Sequence, residues 1–94
     1  MIRTHQYYAI FNFAEDGINV SFPDLPGCLT YGYSIEEALI MAKDALELYL
    51  NGEPVEELPP PQTMPQLLNP NDKAYLIEVS IHYYGRGSVQ DIGK

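Results

Sequence analysis

The stretch from Phe22 to Ala38 constrains the fold most, because it holds a strand end, a tight turn, a short strand and a helix start. Pro23, Pro26 and Gly27 indicate the turn, since proline fixes φ and glycine accepts a positive φ. Asp24 is expected to brace it by accepting hydrogen bonds from backbone N–H groups. A strand must therefore reverse here and lead through a further strand directly into a helix.

The helix begins with the spacing of a capping box at Ser34 and Glu37. In such a box the Ser34 hydroxyl accepts a hydrogen bond from the N–H of Glu37, and the Glu37 carboxylate accepts one from the N–H of Ser34. The predicted helix runs from Ser34 to Leu50, and Asn51-Gly52 ends it. Its core-facing stripe has i, i+3, i+4, i+7 spacing and comprises Ile35, Ala38, Leu39, Ala42, Ala45, Leu46 and Tyr49.

Four segments show the alternating apolar side chains of strands, at residues 7–13, 18–22, 29–33 and 74–83. The predicted order is β-β-β-α-β, an α+β domain with one helix on a four-stranded mixed sheet. A right-handed crossover through the helix would lay the last strand beside the first and parallel to it. The helix covers only one sheet face, so we predict that a second subunit covers the other in a homodimer or higher homo-oligomer.

Proline dominates residues 53–72, where six of the eight prolines lie. Because proline disrupts helix interiors and sheet ladders, this segment is predicted to be an extended connection. We expect a domain spanning residues 1–84, with the connection inside it. Residues 85–94 are expected to form a flexible tail.

The chain is acidic, with 13 Asp and Glu against five Lys and Arg and a net charge of −8. This balance disfavours nucleic acid, which needs clustered cations, and favours a basic protein partner. Ordinary solubility is the alternative explanation. No apolar run has the length of a signal peptide or a membrane span, so we expect a cytoplasmic protein with no membrane partner.

Residues that support catalysis do not form a convincing pattern. Cys28 is the only cysteine, which excludes an internal disulfide and a cysteine-based zinc site. The main enzymatic alternative is a metal-dependent nuclease, because β-β-β-α-β is also the opening part of the ribonuclease H architecture. That site needs convergent carboxylates, whereas the helix acids mostly follow its solvent face and the last strand offers Glu78. We expect no catalytic residue, no metal and no cofactor.

The segment also resembles the signature of HicB-like antitoxins, protein inhibitors in one class of bacterial toxin–antitoxin pairs. The resemblance spans residues ~7 to ~81 and is most specific at residues 23–28, Thr30, Gly32 and residues 34–38. It implies a partial ribonuclease H-like fold without nuclease activity. It also implies a partner, a small HicA-type toxin that cleaves messenger RNA with a histidine and whose active site is buried on binding. The acidic charge suits such a cationic partner.

Many HicB antitoxins carry a C-terminal module that binds promoter DNA. Only ten residues follow Tyr84, with one Arg, one Lys and no helical pattern. We therefore expect no nucleic-acid binding by this chain alone, whether it is a stand-alone member or part of a longer protein. The alternative function is an orphan HicB-like domain that binds another protein or a small ligand beside the turn.

The predicted contacts with a toxin are exposed acids and aromatic or apolar residues, whereas the turn residues set geometry. Met41 and Leu48 lie on a second helix face, where a partner can cover them. Ordinary exposure of isolated apolar residues is the alternative. The residues predicted to bind the toxin are Glu15, Asp16, Tyr31, Glu37, Met41 and Asp44.

Overall fold

The computed structural model describes residues 2–51, 60 and 64–82. One long helix lies on a four-stranded sheet, in the predicted order β-β-β-α-β. The elements are β1 (Ile2–Ala14), β2 (Gly17–Ser21), β3 (Leu29–Gly32), α1 (Ile35–Asn51) and β4 (Asp72–His82). Within the described residues, no helix has the length and apolar character needed to cross a membrane.

The sheet is antiparallel throughout, with strand order β3-β2-β1-β4. β4 lies beside β1 as predicted but runs in the opposite direction, with Ile2 opposite His82 and Asn12 opposite Asp72. The expected mixed sheet with a parallel last strand is therefore wrong. Residues 52–71 join α1 to β4, and an extended chain of that length reaches about 65 Å, against about 36 Å for a strand as long as β4. A connection of this length does not force β4 to be parallel to β1.

β1 is longer than its apolar alternation indicates, because it begins at Ile2 and not at Tyr7. Residues 2–6 include Arg, Thr, His and Gln, so this part of the strand lacks the alternating apolar residues by which a strand is recognised in a sequence. They pair with residues 78–82 of β4, whereas β2 pairs with β1 only over Ile10–Ala14. β1 and β4 therefore continue as a pair beyond the end of β2.

The core lies between α1 and one face of the sheet. The helix contributes the row Ala38, Ala42, Leu46 and Leu50, whose members are four residues apart and fully buried. Ile35 lies to one side of this row and is 43% exposed, so its place in the predicted core stripe is wrong. The strands and the turn contribute the other buried apolar residues, which are Tyr7, Ala9, Phe11, Ile18, Val20, Phe22, Leu25, Cys28, Ile77, Val79 and Ile81.

Candidate protein-binding surface

The segment between β2 and β3 consists of two consecutive turns. The N–H of Leu25 donates to the carbonyl of Phe22 at 3.0 Å, and the N–H of Cys28 donates to the carbonyl of Leu25 at 3.0 Å. Pro23 and Pro26 each occupy the second position of a turn, where a fixed φ suits the backbone. Leu25 joins the two turns and is fully buried, so the segment is anchored to the core.

Gly27 and Cys28 complete the second turn. Gly27 has a φ of 87°, a conformation that favours glycine. Cys28 is buried, and its Sγ lies 3.7 Å from the carbonyl oxygen of Ala45 on α1. Burial raises the pKa of the Cys28 thiol to about 11, so it is a protonated packing group at neutral pH and a poor nucleophile.

The first turn of α1 is capped by side chains from its own sequence. The Ser34 hydroxyl accepts a hydrogen bond from the N–H of Glu37 at 3.1 Å. The Glu37 carboxylate accepts from the N–H of Tyr33 at 2.6 Å, one residue before the Ser34 N–H that a capping box uses. Its negative charge lies where the helix dipole favours anions. Glu37 is therefore held in place at the start of α1 while remaining exposed.

The end of β3 lies in an acidic–aromatic corner, which consists of Asp16, Tyr31, Tyr33 and Glu37. The Tyr31 hydroxyl donates to the backbone carbonyl of Asp16, and its ring meets that of Tyr33 edge to face at 5.2 Å. The pKa of Tyr31 is raised by desolvation and by electrostatic interaction with Asp16, Tyr33 and Glu37. The phenol therefore stays protonated and can donate a hydrogen bond. Tyr33 is 77% exposed, so the corner presents an aromatic ring among carboxylates.

The second helix face predicted from Met41 and Leu48 is exposed. Met41 is 37% exposed and Leu48 is 77% exposed. Leu48 borders a groove of about 250 Å³ that also includes Leu29 and Cys28. Asp44 lies on the same side of α1, between Met41 and Leu48 in the sequence. This face is an apolar strip interrupted by an acid.

The six predicted contact residues fall into two groups. Asp16, Tyr31 and Glu37 meet at the acidic–aromatic corner, and Glu15 lies next to Asp16 in the turn between β1 and β2. The remaining residues, Met41 and Asp44, lie further along α1.

The helix-free face consists of the strand side chains that point away from α1. At its centre Tyr8 lies opposite Leu76, and Ile10 lies opposite Ala74, on β1 and β4. Leu76 is 48% exposed, and Tyr8, Ile10 and Ala74 are partly exposed. The sequence signal for this face is the apolar residues at even-numbered positions of β1 and β4, and the predicted contact set includes none of them.

Polar pairs lie on either side of this apolar centre. The Gln6 side-chain amide donates to Glu78 at 2.8 Å, and the Asn12 amide donates to Asp72 at 2.7 Å. Each pair joins β1 to β4 at directly opposite positions. The helix-free face therefore has an apolar centre between two ordered carboxylates.

The acids of α1 and Glu78 of β4 lie on opposite sides of the sheet. Glu78 alternates with Ile77 and Val79, which are buried beneath α1, so its side chain points away from the helix. In residues 2–51, 60 and 64–82, no group of three or more His, Cys, Asp and Glu side chains is placed to hold a metal ion. The convergence that the nuclease alternative requires is not found among these carboxylates.

Comparison with known sequences matches residues 8–82 to a family described as HicB-like antitoxin of bacterial toxin–antitoxin system. A 14.9 kDa protein from the rep-hol intergenic region of Haemophilus phage HP1 is 39% identical, over 69% of this chain and 51% of the relative. Antitoxin HicB 2 of Photorhabdus laumondii is 42% identical, over 67% of this chain and 47% of the relative. The chain thus spans about half the length of these two relatives.

Comparison with solved structures finds the same fold in a chain of a HicA3 and HicB3 toxin–antitoxin complex. The TM-score is 0.53, and the match covers 76% of this chain and 93% of that chain. At 18% sequence identity, this likeness concerns the fold alone.

Proposed function

We propose that this chain, which belongs to the HicB-like antitoxin family of bacterial toxin–antitoxin systems, binds a small HicA-type toxin and neutralises it by covering its active site. The observation that carries the proposal is the family match over residues 8–82, which takes in the second half of β1 and all of β2, β3, α1 and β4. The relative named Antitoxin HicB 2 and the fold shared with a chain of a HicA3–HicB3 complex support it.

The charge of the chain supports a cationic partner. A net charge of −8 speeds encounter with a basic protein, and complementary fields contribute more to association rate than to affinity. The acidic–aromatic corner adds exposed carboxylates beside Tyr33, an aromatic side chain of the type enriched in interfaces. We propose that Glu15, Asp16, Tyr31, Glu37, Met41 and Asp44 contribute to attraction or contact.

We propose that the chain acts by binding and has no reaction centre of its own. The Cys28 thiol is buried and hydrogen-bonded to a backbone carbonyl. Glu78 and the helix acids lie on opposite sides of the sheet. These arrangements favour packing and surface charge over covalent or metal-assisted chemistry.

Three finer expectations stay predictions. The relation to ribonuclease H-like folds is one, since the antiparallel β4 replaces the mixed sheet expected with it. Location in the cytoplasm and self-association are the others. The predicted tail, residues 85–94, and half of the proline-rich connection lie outside the described residues.

Co-expression tests the proposal. The partner to be sought is a small basic protein with a HicA-type histidine, encoded next to the gene of this chain, and its expression alone is expected to arrest growth. Co-expression of this chain is expected to restore growth, and the two purified proteins are expected to co-elute when the toxin histidine is replaced by alanine. Continued arrest despite equal expression, together with separate elution, would overturn the proposal.

A further inference from the structure

The helix-free face has the form of a docking surface for an apolar patch surrounded by cations. Its centre consists of two cross-strand neighbour pairs, Tyr8 opposite Leu76 and Ile10 opposite Ala74. Leu76 is 48% exposed although it lies in the middle of an 11-residue strand. Large side chains at such positions are usually covered in a sheet that packs on both faces, and an exposed apolar patch with a polar rim marks an interaction site.

The two carboxylates of the rim are already ordered. Gln6 holds Glu78, and Asn12 holds Asp72, each by an amide-to-carboxylate hydrogen bond across the strands. A carboxylate has two oxygens and accepts several hydrogen bonds, so each can also accept from a partner Lys or Arg. Because these side chains are held in the free chain, less conformational entropy is lost when a partner binds.

The charges on this face distinguish a basic partner from a second copy of the chain. Of its described strand residues, Asp72 and Glu78 are the acids, none is Lys or Arg, and His82 lies at one end. Two copies packed through this face would bring acidic rims together without cations to offset them, and like charges across an interface disfavour association. A cationic protein meets no such repulsion.

We propose that the toxin docks on the helix-free face, with an apolar part of its surface on Tyr8, Ile10, Ala74 and Leu76 and its cations beside Asp72 and Glu78. This inference rests on the proposed function and specifies which surface performs it. Tyr31 lies at the border of this face, next to Asn19 of β2. The exposed strip of α1 lies on the other side of the sheet, outside the centre of this contact, where Asp44 attracts the toxin through its charge.

Two exposed leucines provide a matched test. Leu76→Lys alters the centre of the helix-free face, and Leu48→Lys makes the same change on α1, where Leu48 is 77% exposed. Both variants change the net charge equally, so they affect long-range attraction to a similar degree. The probe is the HicA-type toxin sought in the co-expression test, inactivated by replacing its catalytic histidine with alanine, and the measurement is its dissociation constant by calorimetry.

We expect Leu76→Lys to weaken toxin binding at least about tenfold and Leu48→Lys by less than about threefold, as for a central against a peripheral position. Circular dichroism melts of both variants check that each retains the fold. Equal binding by wild type and Leu76→Lys would overturn the docking site while leaving the antitoxin proposal intact. A change from dimer to monomer in Leu76→Lys with unchanged toxin affinity would assign the face to a second copy. No binding by wild type would defeat the antitoxin proposal and this inference with it.

Discussion

Gly32 of β3 lies directly against Ala38 of α1: a Cβ atom added to Gly32 would stand 2.6 Å from both the nitrogen and the Cα atom of Ala38. Glycine therefore sets the distance between β3 and the start of α1. We expect Gly32→Ala to lower the free energy of unfolding by about 1–3 kcal/mol, the usual cost of overpacking a close contact. Urea unfolding followed by circular dichroism measures this loss.

The same contact predicts the outcome of a second substitution. Ala38→Gly in the Gly32→Ala background removes only the facing methyl group, whereas the backbone atoms of residue 38 remain in contact. The double variant is therefore expected to recover little stability. A Gly32→Ala protein as stable as wild type would show that β3 and α1 move apart without cost.

The cap of α1 gives a second prediction about stability. Ser34→Ala removes the acceptor for the N–H of Glu37 and is expected to cost about 1 kcal/mol, as for other N-cap residues. Ser80→Ala is the matched control, since Ser80 is exposed on β4 and its hydroxyl lies 3.3 Å from that of Thr4. Its effect is expected to stay within about 0.5 kcal/mol. Equal losses from the two substitutions would contradict a special role for the cap.

Because Cys28 is buried, we expect the stability of the chain to depend on pH in the alkaline range. Burial raises its pKa from 9.0 to about 11, so the folded chain holds the thiol proton more tightly than the unfolded chain. The buried thiol therefore adds to the free energy of unfolding. This addition is complete below pH 9 and is lost as the pH rises from about 9 to about 11. In Cys28→Ala this contribution is absent, so wild type is expected to lose more stability than the variant over that range. Parallel stability curves from urea unfolding at several pH values would contradict the burial of the thiol.

Much of the fold can be predicted from the sequence, because the turn residues, the helix cap and the apolar alternation indicate the same order of elements. The alternation in residues 7–13 and 74–82 matches the face of β1 and β4 that α1 covers, whereas the predicted strand end at residue 83 lies outside the described residues. The direction of β4 was not readable, because the long connection of residues 52–71 carries no information about which end of the sheet it reaches. The first residues of β1 are not recognisable from the sequence, because they pair with β4 residues that lie 72 to 80 positions away.

The candidate surface was readable only in part. Asp16, Tyr31 and Glu37 were predicted as separate exposed residues, and the structure brings them together through the Tyr31 hydroxyl and its charged surroundings. The sequence predicts a second subunit on the helix-free face, and this stays a prediction. Alternation shows that the sheet has two faces, but it does not show which charges surround each face. Glu78 and Asp72 become a rim only once β4 is paired antiparallel with β1.

Electrostatic attraction predicts a change in association rate. Asp16→Lys and Asp44→Lys each replace an exposed acid with a cation, and each is expected to slow association with the inactive toxin about two- to fivefold at low salt. The difference is expected to vanish near 1 M salt, where the screening length falls to about 3 Å. Stopped-flow mixing measures these rates, with Asp44→Asn as a half-size charge change. Unchanged association at low salt would remove both residues from the proposed set.

The central claim is that this chain inhibits a toxin by binding it and catalyses nothing itself. The most direct measurement titrates the purified chain into a fixed amount of active HicA-type toxin and follows cleavage of a messenger RNA. The account predicts that cleavage falls in proportion to added chain and stops at a fixed stoichiometry, while the chain alone leaves the RNA intact. Cleavage that continues in excess chain, or RNA hydrolysis by the chain alone, would contradict it.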